Sequence, residues 1–484
     1  MTAGRAASPD LPSSGLPSPG LIVAVGWITY FVVSFDFTAA SVALPTLAKA
    51  FGVGTSMISW ISLIYLLAIG CLLLPAGWLL DRYGYRKTLI WSLGLFTLAS
   101  IGCAFVQSLP GLLVFRALQG ASAAVLYLNG PALVRALVPE EHRQRAFAIV
   151  ASASPVGLCT GPVLGGLIAD YAGGQIVFVA VLPLVAVALM LLANQAGLDR
   201  RPETRAKRTS VTALAAMGVA LGALVLALNQ GHAWGWTSAP ILALFALTGF
   251  ALFAFAYADR RASGRLIDPT LIRIADFRNG NLLFLAVFIP MGGLMFLLPF
   301  NLQWYHGLNA QSAGLMLSIQ AITTVVASIG SGWLPGGITM RLRACISLSM
   351  MALGVVLLVA VGKPEDLLVP GLGLALLGAG LGLATATGLQ VVMSDLSDTQ
   401  AAIGSALQSL TRLFAQMLGV VCLETVFSHF YTLPPDGPHG GSAATPIMLD
   451  AFRYAFGFAV VSLLCGLVAA LRLKQPRTKP PGGS

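Results

Sequence analysis

The sequence GWLLDRYGYRKT occupies residues 77–88 and separates two long apolar runs. It holds four charged residues, Asp81, Arg82, Arg86 and Lys87, in a chain in which only 10% of the residues are charged. Such a cluster cannot lie in hydrocarbon, so it indicates a membrane surface, and its excess of basic residues indicates the cytoplasmic surface. A reduced copy begins at Gly332 and lacks the aspartate. The repeat predicts a chain built from two related halves.

The composition predicts an all-α polytopic membrane protein. Hydrophobic residues make up 57% of the 484 positions, and apolar runs of about twenty residues, the length of a transmembrane helix, recur along the chain. No stretch alternates apolar and polar residues as the strands of a membrane barrel do. We expect fourteen spans, near residues 21–45, 56–80, 88–107, 110–131, 146–168, 175–194, 211–229, 239–258, 281–301, 312–334, 344–362, 367–391, 402–428 and 451–471.

The positive charge of the chain follows the predicted topology. The formal net charge is +10, and most of the 28 Lys and Arg residues fall in the tails or in every second predicted loop. This positive-inside pattern predicts a multi-pass protein of the plasma membrane, the inner membrane of a bacterium, with both termini cytoplasmic. We therefore expect membrane lipid and a small molecule as partners, and no nucleic acid.

The sequence lacks the usual signs of an enzyme. The six cysteines lie inside predicted spans without metal-ligand spacing, so we expect them to pack as small apolar residues. The sequence contains no GxxxxGK[ST] phosphate-binding loop, so ATP hydrolysis is not expected. We expect a monomer that holds no metal or other cofactor and is not an enzyme.

Two charged residues lie deep inside predicted spans. Asp36 lies about 15 residues, or roughly 22 Å, along the first span. Arg116 lies about six residues, or roughly 9 Å, below the opposite surface in the fourth span, which runs the other way. Because the two depths are similar, these side chains are expected to meet. Either they pair only to neutralise each other, or the arginine tunes a carboxyl group that binds a proton.

The thirteenth predicted span contains Arg412 and Glu424. Glu424 lies nearer the outer surface, where it is either a carboxylate at the headgroups or a second site for a proton or cation. Arg412 is expected to hold helices together. We group it with Thr38, Gln119 and Gly120 as residues that support the substrate cavity or its coupling to protons.

The fifth predicted span carries glycines at intervals of four residues. Gly157, Gly161 and Gly165 share one helix face, which allows another backbone to approach closely. Pro162 removes a backbone hydrogen bond and permits a bend. Gly166 follows Gly165 directly and adds another small residue to the helix. The pattern predicts a kinked helix in tight contact with a neighbour.

Together these motifs resemble the Major Facilitator Superfamily, and specifically its fourteen-span branch of drug/proton antiporters. The superfamily's loop motif between spans two and three is matched at Gly77, Asp81, Arg82, Gly84, Arg86 and Lys87. Its fourth-span motif is matched at Arg116, Gln119 and Gly120, and its exporter-associated fifth-span motif at Gly157, Gly161, Pro162, Gly165 and Gly166. The branch's first-span motif is matched at Asp36, Thr38, Ala43, Leu44 and Pro45.

The resemblance covers residues 21–472 and implies a fold of two six-helix bundles plus an inserted helix pair. The organisation we expect is a disordered cytoplasmic tail at 1–20, a bundle at 21–195, basic linkers with the inserted pair at 196–278, a second bundle at 279–472 and a second tail at 473–484. The loop motif at 77–88 is then expected to act as the cytoplasmic gate.

The function that this resemblance implies is proton-driven export of small amphipathic compounds, either drugs or toxic organic cations. Asp36, Arg116 and Glu424 are the residues expected to couple transport to protons, with the proton gradient as the energy source. Two alternatives remain open. One is an exporter or facilitator dedicated to a single metabolite or natural product, and the other is a membrane sensor or enzyme that transports nothing.

Overall fold

In the computed structural model, the described residues are 18–193, 210–262, 271, 273–334, 338–360, 363–393, 398–431 and 444–471. They form α-helices and no strand. The fourteen long helices are α1 (Pro19–Phe51), α2 (Thr55–Tyr83), α3 (Tyr85–Phe105), α4 (Leu109–Leu137), α5 (Glu140–Ala172), α6 (Leu182–Ala193), α7 (Val211–Trp234), α8 (Ala239–Arg261), α9 (Ala275–Phe300), α10 (Ala310–Gly330), α11 (Met340–Val359), α12 (Leu368–Met393), α13 (Asp398–Phe430) and α14 (Ala444–Leu471).

Short segments with a different helical pitch extend three of these spans. A 3₁₀ turn at Ile176–Val179 precedes α6, a π-helical turn at Asn301–Tyr305 prolongs α9, and a 3₁₀ turn at Ser331–Trp333 follows α10. With these extensions, fourteen helical segments of the described chain are long and apolar enough to cross a membrane. Each coincides with one of the fourteen predicted spans, so the all-α fold class is confirmed.

Several helices are longer than the apolar spans from which they were predicted. For example, α1 and α5 each have 33 residues. Glu140 and Glu141 extend α5 into the polar zone, because acidic residues in the first turn oppose the positive end of the helix dipole. At the other extreme, α1 begins at Pro19 with Ser18 as its N-cap, inside the stretch that we predicted as tail. The remaining predicted tail residues, 1–17 and 473–484, lie outside the described part of the chain.

The long helices form two bundles with the same internal packing. In the first bundle α1 packs on α5, and α4 packs on α2 and α3; in the second α9 packs on α13, and α12 packs on α10 and α11. The remaining pair, α7 and α8, pack on each other. Through α7 this pair contacts α2 of the first bundle and α13 of the second. The pair therefore bridges the bundles from one side.

Because successive helices run in opposite directions, the connections divide between two ends of the molecule. We call the end that carries the α2–α3 connection at Gly84 the turn end. The other end, which carries the α1–α2 connection at Gly52 and the α9–α10 connection at Gly307, we call the sealed end.

The segment predicted as a charged loop at 77–88 is largely helical. Helix α2 continues to Tyr83 and α3 starts at Tyr85, so the connection is the single residue Gly84. Gly84 has a φ of 83°, a backbone conformation that residues with a Cβ rarely adopt. The chain thus reverses direction within one residue, and its charged residues lie on the ends of two membrane helices.

Candidate functional site

The two bundles meet tightly where α5 crosses α10 near the sealed end. A Cβ placed on Gly166 would collide with the carbonyl of Ala310, and one placed on Gly314 would collide with the carbonyl of Pro162. The other glycines of α5 face α1 instead. A Cβ on Gly165 would lie 2.7 Å from the Cα of Ala39. The fifth helix therefore presents two small-residue faces, one toward its own bundle and one toward the other.

Asp170 joins the bundles at the same crossing. Its two carboxylate oxygens accept hydrogen bonds from the backbone N–H groups of Ala310 (3.0 Å) and Gln311 (2.8 Å), at the start of α10. The first N–H groups of a helix have no partner inside the helix and carry partial positive charge, so a carboxylate there is stabilising. Asp170 belongs to none of the sequence motifs. Its position on the α5 face next to Gly166 is the signal that would have found it.

Two further contacts close the sealed end between α1 and α9. The Ser41 hydroxyl donates to the carbonyl oxygen of Met295 at 2.6 Å, and the Gln303 amide donates to the carbonyl oxygen of Val42 at 2.9 Å. Gln303 belongs to the π-helical turn that prolongs α9. With the α5–α10 crossing, these bonds close the space between the bundles toward the sealed end.

Glu424 forms a third link between the bundles, from α13 to the start of α2. Its side chain is fully buried and accepts a hydrogen bond from the Thr55 hydroxyl at 3.2 Å. Its second carboxylate oxygen is buried without a hydrogen-bond partner in the described part of the chain. The structure thus places Glu424 at the contact between the bundles, where protein buries it fully, and it does not line the cavity between the bundles.

Asp36 and Arg116 meet inside the first bundle, as their depths predicted. A nitrogen of the guanidinium lies 2.8 Å from one carboxylate oxygen, and both side chains are 1% exposed. Gln119 completes the cluster, since it accepts from Arg116 at 2.6 Å and donates to the second carboxylate oxygen of Asp36 at 2.9 Å. The Gln119 amide also lies 2.9 Å from the Ser100 hydroxyl on α3. Arg116 also donates to the carbonyl oxygen of Ile61 on α2 at 3.3 Å, so four helices, α1, α2, α3 and α4, hold one buried ion pair.

Tyr65 on α2 separates this cluster from the space between the bundles. The guanidinium of Arg116 lies over the Tyr65 ring at 4.1 Å from its centroid, a cation–π contact. The Tyr65 ring also packs on Phe37, with ring centroids 6.4 Å apart, and both residues line a cavity that lies between the bundles. A Cβ on Gly120 would lie 2.6 Å from the carbonyl oxygen of Tyr65, so this glycine lets α4 approach α2. Tyr65 was not among the predicted residues.

A cavity with about 1190 Å³ of empty volume, part of it open to solvent, lies between the bundles on the turn-end side of the contacts that join them. Its wall is mostly apolar and aromatic, and Phe37, Tyr65, Tyr127 and Phe288 supply the rings. Polar groups come from hydroxyl and amide side chains, namely Ser34, Thr38, Ser41, Ser154, Gln320, Thr324, Ser409 and Gln416. Thr38, which was predicted to support the cavity, lines it and donates to the Ser34 carbonyl at 3.1 Å.

Arg412 is the charged member of this lining among the described residues. Its guanidinium carbon lies 4.8 Å from the centroid of the Phe288 ring on α9. This contact between α13 and α9 agrees with the expectation that Arg412 holds helices together. Arg412 also faces the cavity between the bundles. Its guanidinium makes no hydrogen bond or ion pair with another described residue.

The residues of the predicted cytoplasmic gate lie around the Gly84 turn. Arg86 donates to the carbonyl oxygens of Leu192, at 2.9 Å, and Ala193, which end helix α6. A cation at the C-terminal carbonyls of a helix opposes the negative end of its dipole. Arg82 instead lies over the Trp78 ring at 5.1 Å. Gly77 has open space around it and Lys87 is exposed, whereas the side chain of Asp81 lies outside the described part of the structure.

Comparison with known proteins identifies relatives along most of the chain. The family model described as Major Facilitator Superfamily matches residues 26–420. Multidrug resistance protein Stp of Mycobacterium tuberculosis is 29% identical over 409 residues, which cover 84% of this chain and 75% of Stp. Cephamycin export protein CmcT of Amycolatopsis lactamdurans is 29% identical over 492 residues, which cover 100% of this chain and 98% of CmcT.

Solved structures share the fold at low sequence identity. The POT family transporter PepTSo superposes with a TM-score of 0.67 at 13% identity, covering 94% of this chain and 98% of that structure. A bacterial homologue of the lysosomal transporter Spinster, in an inward-facing conformation, superposes with a TM-score of 0.66 at 14% identity, covering 94% and 96%.

Proposed function

We propose that this chain, which belongs to the Major Facilitator Superfamily, is a proton-driven exporter of small amphipathic compounds that works by alternating access. The observation that carries the proposal is the Asp36–Arg116 pair, a fully buried ionisable cluster separated from the cavity by the Tyr65 ring. Ionisable groups inside a membrane protein are costly, and they are typical of proton pathways.

In this proposal the turn end faces the cytoplasm and both termini are cytoplasmic, in the plasma membrane of a bacterium. The described state then presents the cavity to the cytoplasm, because the contacts that join the bundles close it toward the sealed end. Rocking of one bundle against the other breaks these contacts and opens the cavity to the outside. The Gly84 turn and Arg86, which ties the start of α3 to the end of α6, keep the cytoplasmic ends of the first bundle rigid during this motion.

Coupling requires that proton binding favour one of the two conformations. A proton on Asp36 would neutralise the carboxylate and release the guanidinium of Arg116 from its ion pair. Tyr65 contacts that guanidinium on one side and lines the cavity on the other, so a movement of Arg116 changes the cavity wall directly. Entry of one proton charge across 100 mV supplies about 2.3 kcal/mol, which corresponds to roughly a fiftyfold gradient of an uncharged substrate.

Glu424 is the second proton site of the proposal. Burying an ionised carboxylate with one unpartnered oxygen is costly, and that cost disappears when the group carries a proton. Because Glu424 is buried by the contact between α13 and α2, opening of the sealed end would expose it to the outside. Glu424 is thus placed to exchange its proton with the outside in the open state and to hold it in the closed state.

The direction and range of transport rest on the relatives and on the helix α5 motif. Relatives are named as multidrug resistance and cephamycin export proteins, and the Gly166 face of α5 forms the crossing with α10 that closes the sealed end. We propose a monomer that uses no ATP, binds no nucleic acid and takes its energy from the proton gradient. An exporter or facilitator dedicated to one metabolite is the second candidate, because the cavity wall alone does not distinguish a broad range of substrates from a narrow one.

The test uses everted membrane vesicles with an acidic lumen and a pH-sensitive dye. Antiport predicts that adding a transported drug releases protons from the lumen. Asp36→Asn should abolish this release. Asp450→Asn is the matched control, because Asp450 is exposed on α14 and pairs only with Arg453 of the same helix in the described structure. Full drug-dependent proton release by Asp36→Asn would overturn the coupling mechanism, and exchange of labelled solute without proton movement would favour the facilitator.

A further inference from the structure

We infer that the cavity binds amphipathic organic anions, with Arg412 and the Gln416 amide holding the anionic group and the aromatic wall holding the apolar body. This inference names the substrate class of the proposed exporter and rests on that function. It departs from the toxic organic cations that the resemblance implied as one of two substrate classes. Four features of the cavity lead to it.

The first feature is the sign of the charge in the cavity. Arg412 is the charged side chain among the described residues that line it. The two carboxylates of the membrane interior lie elsewhere. Asp36 is occupied by Arg116 and Gln119 behind the Tyr65 ring, and Glu424 lies at the sealed end against Thr55. An organic cation in this cavity would therefore meet a like charge and no counter-charge from the described lining.

The second feature is the lack of a counter-ion for Arg412. One face of its guanidinium packs on Phe288, but none of its N–H groups donates to another described residue. A guanidinium presents five N–H donors in a planar fork that fits a carboxylate or a similar oxyanion at two points. In the membrane interior such an unpaired cation is costly, and it gains most from an anion that enters the cavity.

The third feature is an amide donor beside the arginine. Gln416 follows Arg412 by four residues, so both lie on one face of α13, and both line the cavity. Gln416 is 5% exposed, and its side chain makes no hydrogen bond to another described residue. Buried amide groups are normally hydrogen-bonded, and an unpartnered one facing a cavity indicates a ligand or water. Arg412 and Gln416 together offer a charged and a neutral donor to one oxyanion.

The fourth feature is the aromatic wall around the arginine. Phe288 contacts Arg412 directly, and the ring of Tyr127, which lines the cavity, packs on Tyr30 at 5.0 Å between centroids. Tyr127 belongs to α4 of the first bundle, so each bundle contributes an aromatic ring to the cavity wall, Tyr127 from the first and Phe288 from the second. A flat apolar body next to an oxyanion would fill the space between Phe288 and Tyr127.

The inference predicts a dependence on membrane potential. Exchange of one inward proton for one outward monoanion transfers a net two positive charges inward per cycle. Exchange of one inward proton for one outward monocation transfers no net charge. Anion export should therefore accelerate when an interior-negative potential is imposed at constant pH gradient. Cation export under the same conditions should not respond.

The experiment compares three probes that share one ring system: pyrenebutyric acid, its primary amide and pyrenebutylamine. Purified protein in proteoliposomes is assayed for binding by fluorescence and for transport with a pH gradient, with and without a potassium diffusion potential. The variants are Arg412→Gln, Arg412→Lys and Gln416→Leu. Arg453→Gln is the matched control, since Arg453 on α14 has a partly exposed side chain that pairs with Asp450.

We expect the carboxylate to bind most tightly and its transport to respond to the potential. Arg412→Gln should weaken binding of the carboxylate probe by about tenfold to a hundredfold, because a charge-assisted hydrogen bond contributes that much to affinity. Binding of the amide probe should change by less than about twofold, which also shows that the variant is folded. Arg412→Lys should recover part of the loss, and Gln416→Leu should cost less than Arg412→Gln because it removes a neutral donor.

Three outcomes would overturn the inference: the amine binding better than the acid, carboxylate binding that is unchanged in Arg412→Gln, or no binding of the acid at all. Failure of the proposed function gives a different result. If the acid binds through Arg412 but its transport moves no protons, then the anion site stands and the antiport mechanism falls. If the amine is exported in exchange for protons, then the mechanism stands and the anion site falls.

Discussion

Replacement of Asp170 by alanine tests the closed state at its most polar contact. The carboxylate accepts from the N–H groups of Ala310 and Gln311 across the gap between the bundles. Asp170 itself is exposed, so solvent weakens these bonds. Loss of a side-chain cap costs about 1 kcal/mol and loss of a charge at a helix N-terminus about 0.3–1 kcal/mol. We therefore expect Asp170→Ala to destabilise the closed sealed end by about 1–2 kcal/mol, a factor of roughly 5–30 in the ratio of open to closed molecules.

The assay measures the distance across the sealed end by pulsed electron spin resonance. Spin labels at Tyr171→Cys on α5 and Glu365→Cys before α12 lie on different bundles, and both positions are exposed. The native cysteines are replaced by alanine in this background. The long-distance population should increase in Asp170→Ala and increase less in Asp170→Asn, because asparagine keeps one neutral acceptor for the helix N-terminus.

Asp450→Ala serves as the control for removal of an acid from the same end of the protein. Asp450 pairs with Arg453 on its own helix, so its loss should leave the distance distribution unchanged. An Asp170→Ala distribution equal to that of the parent protein would refute the argument that this cap stabilises the closed state. A shift of equal size in Asp450→Ala would show that general loss of negative charge is responsible.

Three further predictions address the crossing, the coupling and the pH response. Gly314→Ala should block closure of the sealed end, because its Cβ would collide with the α5 backbone, and transport should be lost; Gly332→Ala, in open space, should transport normally in the same vesicle assay. Tyr65→Leu should uncouple transport from protons because Arg116 loses its aromatic partner, whereas Tyr65→Phe keeps the ring; equal proton-to-substrate ratios in both would contradict this. Burial lowers the pKa of His306 below its usual 6.5. Since the folded protein resists protonation of His306, the contribution of this residue to the free energy of unfolding should be fully present above about pH 6.5 and fall as the pH drops. If Tm falls in the same way in His306→Asn, then protonation of His306 is not the cause.

Much of the fold could be predicted because each span carries its own signal. A run of about twenty apolar residues crosses the bilayer wherever it occurs, so fourteen spans could be counted without knowing how they pack. The meeting of Asp36 and Arg116 could also be predicted from depth alone. Each span runs from one membrane surface to the other, so the number of residues between a side chain and the end of its span gives its depth. Gly84 as the site of a sharp turn follows from the conformations open to glycine.

The packing between bundles could not be predicted in the same way. Asp170 is an ordinary acid at the end of a helix in the sequence, and it becomes a link only because α10 starts next to it. Glu424 was predicted in the outer part of its span, but its partner Thr55 lies 369 residues away along the chain. The roles of these residues depend on which helices become neighbours, and side-chain identity alone does not record this.

The sequence by itself determined the helical membrane architecture, the two related halves and the positions of the ionisable residues along each span. These properties follow from hydrocarbon solubility and backbone geometry, which act on one segment at a time. The tertiary structure decided which groups face the cavity. It placed Asp36 behind Tyr65, Glu424 at the contact between bundles and Arg412 beside the cavity without a carboxylate among the described residues, because the rotation of each helix about its axis is set by packing against its neighbours.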